Sequence, residues 1–395
     1  MDRREFQRLV LERVKAAHPR LAAELDERGG ALVVRGDAQA QVIALDRYHR
    51  AYAAAAPEAR EAILARIVRA PTLVGGDESL DELRVTLVPH LCVRTELVFG
   101  HADVIVMSAD AAAPGGSIVP HHRPFAEYLA LTVAVDRPDR VDVLVDPARY
   151  GVAAGELEEI ALANLRRRTT HGLEPLHPGL YLGAWGDSSA PERMLLPELW
   201  TDLAIEGDPV VFLQERESIV VAGSEDLEAL ERALRAAVER LDEPTPFFPG
   251  AVVLREGRWA LYDDLGPIGL ASSGLVVESL EPSYDRQREV VASSLAELAT
   301  PDPPFVAPVE WLAVEGDDRA ATVCRWVEGT RTWLPRTHVL VLRSARGEVI
   351  AMPWRSVVEL EPELFTQVPD LFPPRWEPAA FPSAATFAEW REASG

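Results

Sequence analysis

The sequence predicts an α+β fold, built from repeated strand–strand–helix units with antiparallel sheets and completed by a β-rich C-terminal extension. Three segments carry this prediction, because in each a pair of β-type runs is followed by helical periodicity: 31–69, 128–168 and 209–241. The connections within each pair are short and therefore join antiparallel neighbours, since parallel strands need a crossover of a dozen or more residues. Helices that follow such hairpins pack on one face of the sheet, which is the α+β layout.

The first unit begins with a helix, because apolar residues recur at helical spacing over Asp2–Ala17. Two short β-type runs follow at 31–35 and 41–45, separated by a Gly-Asp turn. Helical periodicity then extends from 46 to about 69 and is interrupted near Pro57. The order of elements predicted here is therefore helix, hairpin, helix.

The second unit opens on a strand in which alternate positions are apolar and share one face: Leu129, Leu131, Val133 and Val135. A charged turn leads to a second β-type run at 141–145. A helix is predicted from about Ala154 to Arg168, because its glutamates lie in the early turns and three arginines close it, as the helix macrodipole favours.

The third unit pairs the runs 210–214 and 218–223 around the charged turn Glu215–Glu217. Ser224 is placed to cap the helix that follows, with two acidic residues in the first turn. The predicted apolar face of this helix consists of leucines and one valine at helical spacing: Leu227, Leu230, Leu234, Val238 and Leu241.

Two segments rich in glycine or proline, 110–124 and 300–308, predict an exposed loop and a semi-rigid linker. Residues 361–395 contain six prolines, which predicts an extended segment. These features divide the chain into an N-terminal α+β unit, a central α+β unit with two of the repeats, and a C-terminal β-rich, tryptophan-containing domain or extension: 1–110, 125–280 and 305–395.

The formal net charge of −23 argues against nucleic acids and anionic membranes as ligands, because both require a basic surface. It favours solubility and leaves a basic protein partner open. Lys15 is the only lysine, which excludes a phosphate-binding loop with a lysine after its glycines. No stretch approaches the roughly 18 apolar residues of a membrane span, and the charged N-terminus lacks the apolar core of a secretory signal. The sequence therefore predicts a cytoplasmic protein.

The two cysteines, Cys92 and Cys324, lie far apart and match no zinc-ligand spacing. We therefore predict two buried thiols, and neither a metal nor another cofactor. His90 lies two residues before Cys92 on a β-type run, where side chains i and i+2 share a face. A Cys–His pair is conceivable there, and plain strand packing is the alternative.

A first candidate site follows the 110–124 loop, where His121, His122 and Glu127 lie close in sequence. Loops often carry functional groups, and imidazoles with a carboxylate suit a metal or an anion. A metal would need a third protein ligand, and the spacing matches no known ligand pattern. An ordinary surface loop is the alternative.

A second candidate is the polar cluster from Asp187 to Arg193, which combines two carboxylates with an arginine. Such a cluster could bind a polar ligand. The alternative is helix capping by Ser188 or Ser189, with Pro191 in the first turn.

A third candidate is aromatic. Six of the nine tryptophans fall after residue 310, among them Trp326, Trp333 and Trp354. An aromatic-rich β region is typical of a protein-interaction surface. It is equally typical of the core of a small β domain, so both interpretations stay open.

Three stretches occur in a characteristic order: ALDRYHRAYAAAAPEAREAILARIV near the N-terminus, GDSSAPERMLLPELW at 186–200, and GDPVVFLQERESIVVAGSEDLEALERAL at 207–234, the last followed by FFPGAVVLREGRWALY. In this order they resemble the YtpQ-like family of uncharacterised bacterial proteins, over about residues 1–265. The family's D…S-R-x-L-L stretch is matched at Asp187, Ser189, Arg193 and Leu196, and its hairpin arginine at Arg216. The family has no established activity, so the resemblance marks Asp187, Arg193 and Arg216 as candidate binding residues only.

Two functional hypotheses follow. The first is a cytosolic, non-enzymatic protein that binds or regulates another protein through its acidic surface and its tryptophan-rich C-terminal part. The second is a hydrolase-type enzyme without a recognisable motif, which would use the His121–Glu127 region or the Asp187 cluster. No residue is assigned as catalytic, because no strand–turn–helix element presents a nucleophile beside a base.

Overall fold

A computed structural model of the chain describes residues 2–26, 31–35, 40–69, 78–97, 120–137, 140–144, 147–213, 215–239, 247–264, 266–297, 302–313, 320–369 and 371–393. The chain divides into two compact units, which are Met1–Ala102 with Ala112–Ser272, and Asp103–Ala111 with Ser273–Gly395. The predicted division at 1–110, 125–280 and 305–395 is finer and stays a prediction.

The N-terminal unit starts with a small α+β layer composed of α1 (Arg3–Ala17), β1 (Ala22–Asp26), β2 (Ala31–Arg35), β3 (Ala40–Ala44), α2 (Leu45–Ala54) and α3 (Pro57–Arg69). The predicted first helix is confirmed, and it begins with a capping box at Asp2. The Asp2 carboxylate accepts a hydrogen bond from the main-chain N–H of Glu5, and the Glu5 carboxylate accepts one from the main-chain N–H of Asp2. The break near Pro57 is also confirmed. The helices cover the antiparallel sheet β1-β2-β3 and bury Phe6, Val10 and Val14 against it.

A second sheet is formed by β4 (Leu87–Val93), β5 (Arg123–Phe125), β6 (Leu129–Arg137) and β7 (Arg140–Val143), after the short helix α4 (Leu80–Leu83). The strands are antiparallel in the order β4-β6-β5, with β7 paired to β6, so β4 lies at an edge of the sheet formed by the described strands. Helix α5 (Ala154–Arg168) buries Leu157 and Ala161 against Val133 and Val135 of β6.

The third sheet has six antiparallel strands in the order β13-β12-β10-β11-β9-β8. Its strands are β8 (Glu174–His177), β9 (Leu180–Ala184), β10 (Pro209–Phe212), β11 (Ser218–Gly223), β12 (Ala251–Arg255) and β13 (Arg258–Leu261), and α6 (Leu227–Glu239) covers it. The predicted face of α6 is partly wrong. Leu230 is buried, but Leu227 is 66% exposed, and the other buried positions are alanines at 229, 233 and 237, because small side chains let the helix lie close to the sheet. Leu241 lies outside the described residues.

The C-terminal unit contains two four-stranded sheets. The elements from the end of the third sheet onward are α7 (Pro267–Ser279), α8 (Glu281–Glu297), β14 (Phe305–Val306), β15 (Glu310–Ala313), β16 (Ala320–Val327), β17 (Thr332–Pro335), β18 (Val339–Arg343), β19 (Val349–Pro353), α9 (Trp354–Leu360), β20 (Phe365–Gln367), β21 (Arg375–Pro378) and α10 (Ala384–Ala393). The sheets have the orders β14-β17-β21-β20 and β15-β16-β18-β19, and the pairs β14–β17 and β16–β18 are parallel.

The predicted α+β class is therefore confirmed, and the strand–strand–helix order occurs at the three predicted places. The three hairpins belong to sheets of three, four and six strands. That they are structural repeats stays a prediction.

The C-terminal part is rich in strands, but 361–395 is not simply extended, because it contains helix α10, whose Phe387 and Trp390 are buried. Among the described helices, none has the length and apolar character needed to cross a bilayer.

Candidate functional site

The Asp187–Arg193 cluster lies in the N-terminal unit, directly after β9, and is organised around a fully buried arginine. Arg193 belongs to a 3-10 helix, Pro191–Leu195, and its side chain is 0% exposed. Its two terminal nitrogens donate to the two carboxylate oxygens of Asp187, both at 2.8 Å. This bidentate geometry is the strong form of an arginine–carboxylate pair.

The remaining hydrogen bonds of Arg193 engage two more of its five N–H donors. Its Nε donates to Thr169 Oγ1 at 3.1 Å, and Nη1 also donates to the main-chain oxygen of Ser189 at 2.9 Å. The guanidinium lies 4.3 Å from the centre of the Trp185 ring, which adds a cation–π contact. Arg193 thus ties the end of α5 to the loop after β9, and its role as a ligand-binding residue stays a prediction.

Asp187 is half-buried and remains ionised. Burial raises the pKa of its carboxyl, but the hydrogen bonds from Arg193 and from the main-chain N–H of Ser189 outweigh burial, so that the pKa lies below its ordinary value of 3.8. The predicted capping by Ser188 or Ser189 is wrong in detail, because the 3-10 helix has no side-chain cap and the bond runs from Ser189 N–H to Asp187. The predicted position of Pro191 in the first turn is confirmed.

The next residue in sequence, Glu192, belongs to a different cluster. It is 1% exposed, and its Oε1 accepts hydrogen bonds from the main-chain N–H of Leu91 at 2.9 Å and from Arg216 Nη1 at 3.1 Å, with His90 Nδ1 at 3.5 Å. Burial raises the pKa of Glu192, but these donors hold it below its ordinary value. Sequence reasoning missed this cluster, because Glu192 and Leu91 are 101 positions apart and no local pattern links them.

Arg216, the second arginine marked by the family resemblance, is committed to the same cluster. Its Nη2 donates to the main-chain oxygen of Leu91 at 2.8 Å, and its guanidinium lies 4.4 Å from the centre of the Phe247 ring. The main-chain groups of Leu91 would otherwise be open, since β4 is an edge strand. Glu192 and Arg216 therefore satisfy one N–H and one C=O of that edge, in the manner of a neighbouring strand.

A shallow cleft of about 270 Å³ lies beside Arg193 and is lined by Arg166, Thr169, Thr170, His171, Gly172, Leu196, Glu198 and Leu199. Its charged groups neutralise each other, because Arg166 Nε donates to Glu198 at 3.0 Å. His171 Nε2 donates to the main-chain oxygen of Ala184 at 3.0 Å, which leaves Nδ1 to accept from Thr170. The imidazole of His171 thus contacts a hydroxyl through Nδ1 and a main-chain oxygen through Nε2.

The His121–Glu127 region is built from main-chain contacts and not from convergent side chains. His122 is 9% exposed, and its Nδ1 donates to the main-chain oxygen of Pro120 at 2.8 Å. Burial lowers the pKa of His122, so the imidazole is neutral near pH 7. His121 and Glu127 present their side chains to solvent. Within the described residues, no group of three His, Cys, Asp or Glu side chains is placed to hold a metal ion.

The tryptophans of the C-terminal unit belong to its core. Trp326 is 3% exposed and Trp354 is 5% exposed, and both pack with Phe365. At this exposure both rings contribute mainly to the core of the unit, which is the alternative that the sequence left open, and their part in an interaction surface stays a prediction. Trp333 is half-buried, and its Nε1 donates to Glu377 at 2.8 Å. Both cysteines are free and buried, and burial raises the pKa of Cys324 to about 12, which leaves it unreactive.

Comparison of the chain with protein-family models, with curated proteins and with solved structures gave no match. The geometry of the two clusters is therefore the available guide to their role. Each cluster joins two distant segments through an arginine whose donors bond to groups of the same unit. In the second cluster Glu192 Oε2 is buried without a hydrogen-bond partner among the described residues.

Replacement of Asp187 by asparagine is expected to lower the stability of the N-terminal unit by about 1–3 kcal/mol, since Arg193 would stay buried without its counter-ion. The effect depends on pH. Because the folded-state pKa of Asp187 is lowered, its stabilisation is present above 3.8 and is lost as the pH falls through the folded-state value. Urea denaturation between pH 7 and pH 3 measures this difference.

The exposed Asp202 provides the matched control, and its replacement by asparagine is expected to change the urea midpoint little at any pH. A wild-type and an Asp187→Asn protein that are equally stable at pH 7 would show that the pair does not stabilise the fold.

Proposed function

We propose that this chain is a cytosolic, non-enzymatic protein that binds another protein through one face of a sheet in its C-terminal unit. The single observation that carries the proposal is that the β15-β16-β18-β19 sheet is apolar on both of its faces. One face forms the core of the unit, with Cys324, Trp326, Leu340, Leu342, Ile350 and Met352. The opposite face is called the outer face below.

The strand register defines the members of the outer face: Glu310, Leu312, Ala321, Val323, Arg325, Val327, Val339, Val341, Arg343, Val349, Ala351 and Pro353. All but three are apolar. A sheet with one solvated face normally alternates apolar residues inside with polar residues outside. The composition of the outer face is instead that of a surface that another element covers.

The outer face is only partly covered within the described residues. Val323 is 2% exposed, but three large apolar side chains on this face are open to solvent, at 52% for Leu312, 40% for Val327 and 57% for Val349. Ala351 and Pro353 are also exposed. Val327, Val349 and Ala351 are neighbours at one end of the face, whereas Leu312 lies roughly 20 Å away, opposite Ala321. The exposed apolar side chains at the Val327–Val349 end favour a protein-binding site there.

Protein binding is also supported by the state of the polar clusters. The hydrolase hypothesis needs a base free to accept a proton from a nucleophile. In the Asp187 cluster both carboxylate oxygens bond to Arg193. In the loop region His122 Nδ1 donates to the main-chain oxygen of Pro120, which leaves Nε2 as the acceptor of the neutral ring, and no hydrogen bond among the described residues joins Nε2 to a hydroxyl or a thiol. Neither of these two regions therefore supports the hydrolase hypothesis, and binding is the better supported of the two. The YtpQ-like resemblance adds no activity and stays a prediction.

Affinity capture with the tagged full chain from lysate of its native host tests the proposal. Wild type is compared with Val349→Glu and Val327→Glu, which place a charge on the outer face at exposed positions, and with Val85→Glu, which does the same at a 67% exposed valine of the N-terminal unit. We expect one stoichiometric protein to be retained by wild type and by Val85→Glu and to be lost from both outer-face variants. Equal capture by all four proteins, or recovery of the chain alone, would refute binding through the outer face.

A further inference from the structure

The chemistry of the outer face indicates what kind of partner it takes, and this inference rests on the function proposed above. One lateral row of the face consists of Val327 on β16, Arg343 on β18 and Val349 on β19, which are paired across the three strands. Arg343 is exposed and is flanked on both sides by exposed valines. A cation at the centre of an apolar row is placed where a docked chain would cover it.

Arg343 has no ion-pair partner among the described residues, whereas several other arginines of this unit do. Arg325 pairs with Glu310 at 2.9 Å on the same face, and Arg391 pairs with Glu348 at 3.1 Å. The chain has an excess of acidic residues, and its net charge is −23. In such an acidic chain, an exposed arginine without a carboxylate partner among the described residues indicates that a bound partner supplies the carboxylate.

We infer that the outer face binds a short acidic and apolar protein segment, which places a carboxylate against Arg343 and apolar side chains against Val327 and Val349. The arginine fork suits a carboxylate, because two parallel N–H···O bonds form. Covering Arg343 with apolar groups alone would bury a charge without a partner, which is strongly unfavourable. The segment therefore carries at least one aspartate or glutamate.

This partner differs from the basic one that the net charge left open. At physiological ionic strength, a charge more than roughly 8 Å from the bound segment is largely screened. The charges directly beside the segment therefore determine whether an acidic or a basic segment is favoured. On the outer face Glu310 is neutralised by Arg325. At the other end of the face the exposed Arg343 and Arg346 lie near one further carboxylate, that of Glu328, which accepts from the main-chain N–H of Ala345 at 2.6 Å. Among the described residues the local charge is therefore positive, although the chain as a whole is acidic.

The size of the face indicates a segment and not a large globular surface. Four strands about 4.8 Å apart and about three residues along each strand cover roughly 200–300 Å². A standard protein–protein interface buries about 800 Å² on each partner. One helix or one extended stretch is therefore sufficient to cover the outer face, and the resulting complex is expected to be weak and reversible.

Selection of random peptides of about twelve residues, displayed on phage, against the immobilised full chain tests the inference. We expect the enriched peptides to combine apolar residues with aspartate or glutamate. Synthetic peptides of the enriched sequences should bind Arg343→Glu roughly 10- to 100-fold more weakly than wild type, which is the range for a lost charged hydrogen bond. The control Arg232→Glu, at an exposed arginine of α6 in the other unit, should bind them as wild type does.

A second selection, against Arg343→Glu, tests the role of Arg343 separately from protein binding by the outer face. It is expected to enrich lysine or arginine in place of the acidic residues. If peptides bind and are lost from Val349→Glu but carry no acidic preference, the outer face binds proteins and the role of Arg343 is wrong. If no enriched peptide depends on Val349 or Arg343, the docking function itself is refuted. Binding of a single-stranded oligonucleotide that Arg343→Glu abolishes would replace the protein partner with a nucleic acid and would also overturn the inference.

Discussion

Replacement of Arg375 by alanine is expected to destabilise the C-terminal unit by about 4 kcal/mol or more. Arg375 is 0% exposed, and its guanidinium has no carboxylate among the groups that it contacts. Its Nε donates to Gln287 Oε1 at 2.5 Å, and Nη1 and Nη2 donate to the main-chain oxygens of Ala307 at 2.7 Å and Tyr284 at 3.1 Å. Burial lowers its pKa to about 10, so the group is still charged at neutral pH.

These contacts connect segments that are far apart in the chain. Gln287 and Tyr284 lie on α8, Ala307 follows β14, and Arg375 begins β21. Tyr284 reinforces the connection, since its hydroxyl donates to the main-chain oxygen of Pro374 at 2.9 Å. Alanine would leave several buried acceptors without donors and would open a cavity, and both effects are destabilising. One side chain therefore fixes α8 against the sheet.

Urea denaturation followed by tryptophan fluorescence measures this effect, because six tryptophans lie after residue 310. Arg375→Lys keeps the positive charge but loses the planar fork, and it is expected to lie between wild type and alanine. It also provides a measurable variant if the alanine protein does not fold. The matched control is Arg331→Ala, which removes a surface arginine paired with Glu377 and is expected to cost less than about 1 kcal/mol. Equal effects at Arg331 and Arg375 would contradict the argument.

Much of the fold follows from signals that act over a few residues. The helical periodicity over Asp2–Ala17, the break near Pro57 and the hairpin order at 209–241 each depend on neighbours in sequence, and the structure confirms all three. The α+β class follows from them, since hairpins joined by short connections form antiparallel sheets. Strand β1 (Ala22–Asp26) was missed, because its sequence AAELD has little β propensity and is extended only by pairing with β2.

The roles of the site residues could not be obtained in this way. The sequence identified Asp187, Arg193 and Arg216 as unusual, but it offered ligand binding as their function. Their structural partners explain the difference, since Thr169 is 24 positions from Arg193 and Leu91 is 125 positions from Arg216. Long-range hydrogen bonds leave no periodicity in a single sequence. The outer face was likewise missed. The unbroken apolar run at 339–342 is typical of a strand that is apolar on both faces, but the pairing that aligns it with β16 and β19 cannot be read from a single sequence.

The second large effect is expected at the Glu192–Arg216 pair. Glu192→Ala should destabilise the N-terminal unit by about 3–5 kcal/mol, which is the usual cost of removing one partner from a buried ion pair. The carboxylate is 1% exposed and accepts from Leu91 N–H as well as from Arg216. Its loss would leave the main-chain N–H of Leu91 buried without an acceptor and Arg216 without its carboxylate, although Arg216 keeps its bond to the main-chain oxygen of Leu91.

A double replacement distinguishes this pair from an ordinary buried ion pair. Exchanging both charges of a buried pair for apolar residues is often neutral or even stabilising. That exchange should fail here, because Glu192 and Arg216 also satisfy the N–H and C=O of Leu91 on the edge strand β4. We therefore expect Glu192→Leu/Arg216→Leu to remain at least about 2 kcal/mol less stable than wild type, since two buried main-chain groups lose their partners.

The exposed pair Glu228–Arg232 on α6 supplies the reference, with the same residue types four positions apart in a helix. Its double replacement by alanine should change stability by less than about 0.5 kcal/mol. All variants can be compared by urea denaturation with circular dichroism and fluorescence. Full recovery of stability in the apolar double variant would show that the charges only compensate each other. A lasting deficit would show that the pair acts as a substitute strand, and that the order of these sheets depends on side chains more than 100 positions apart.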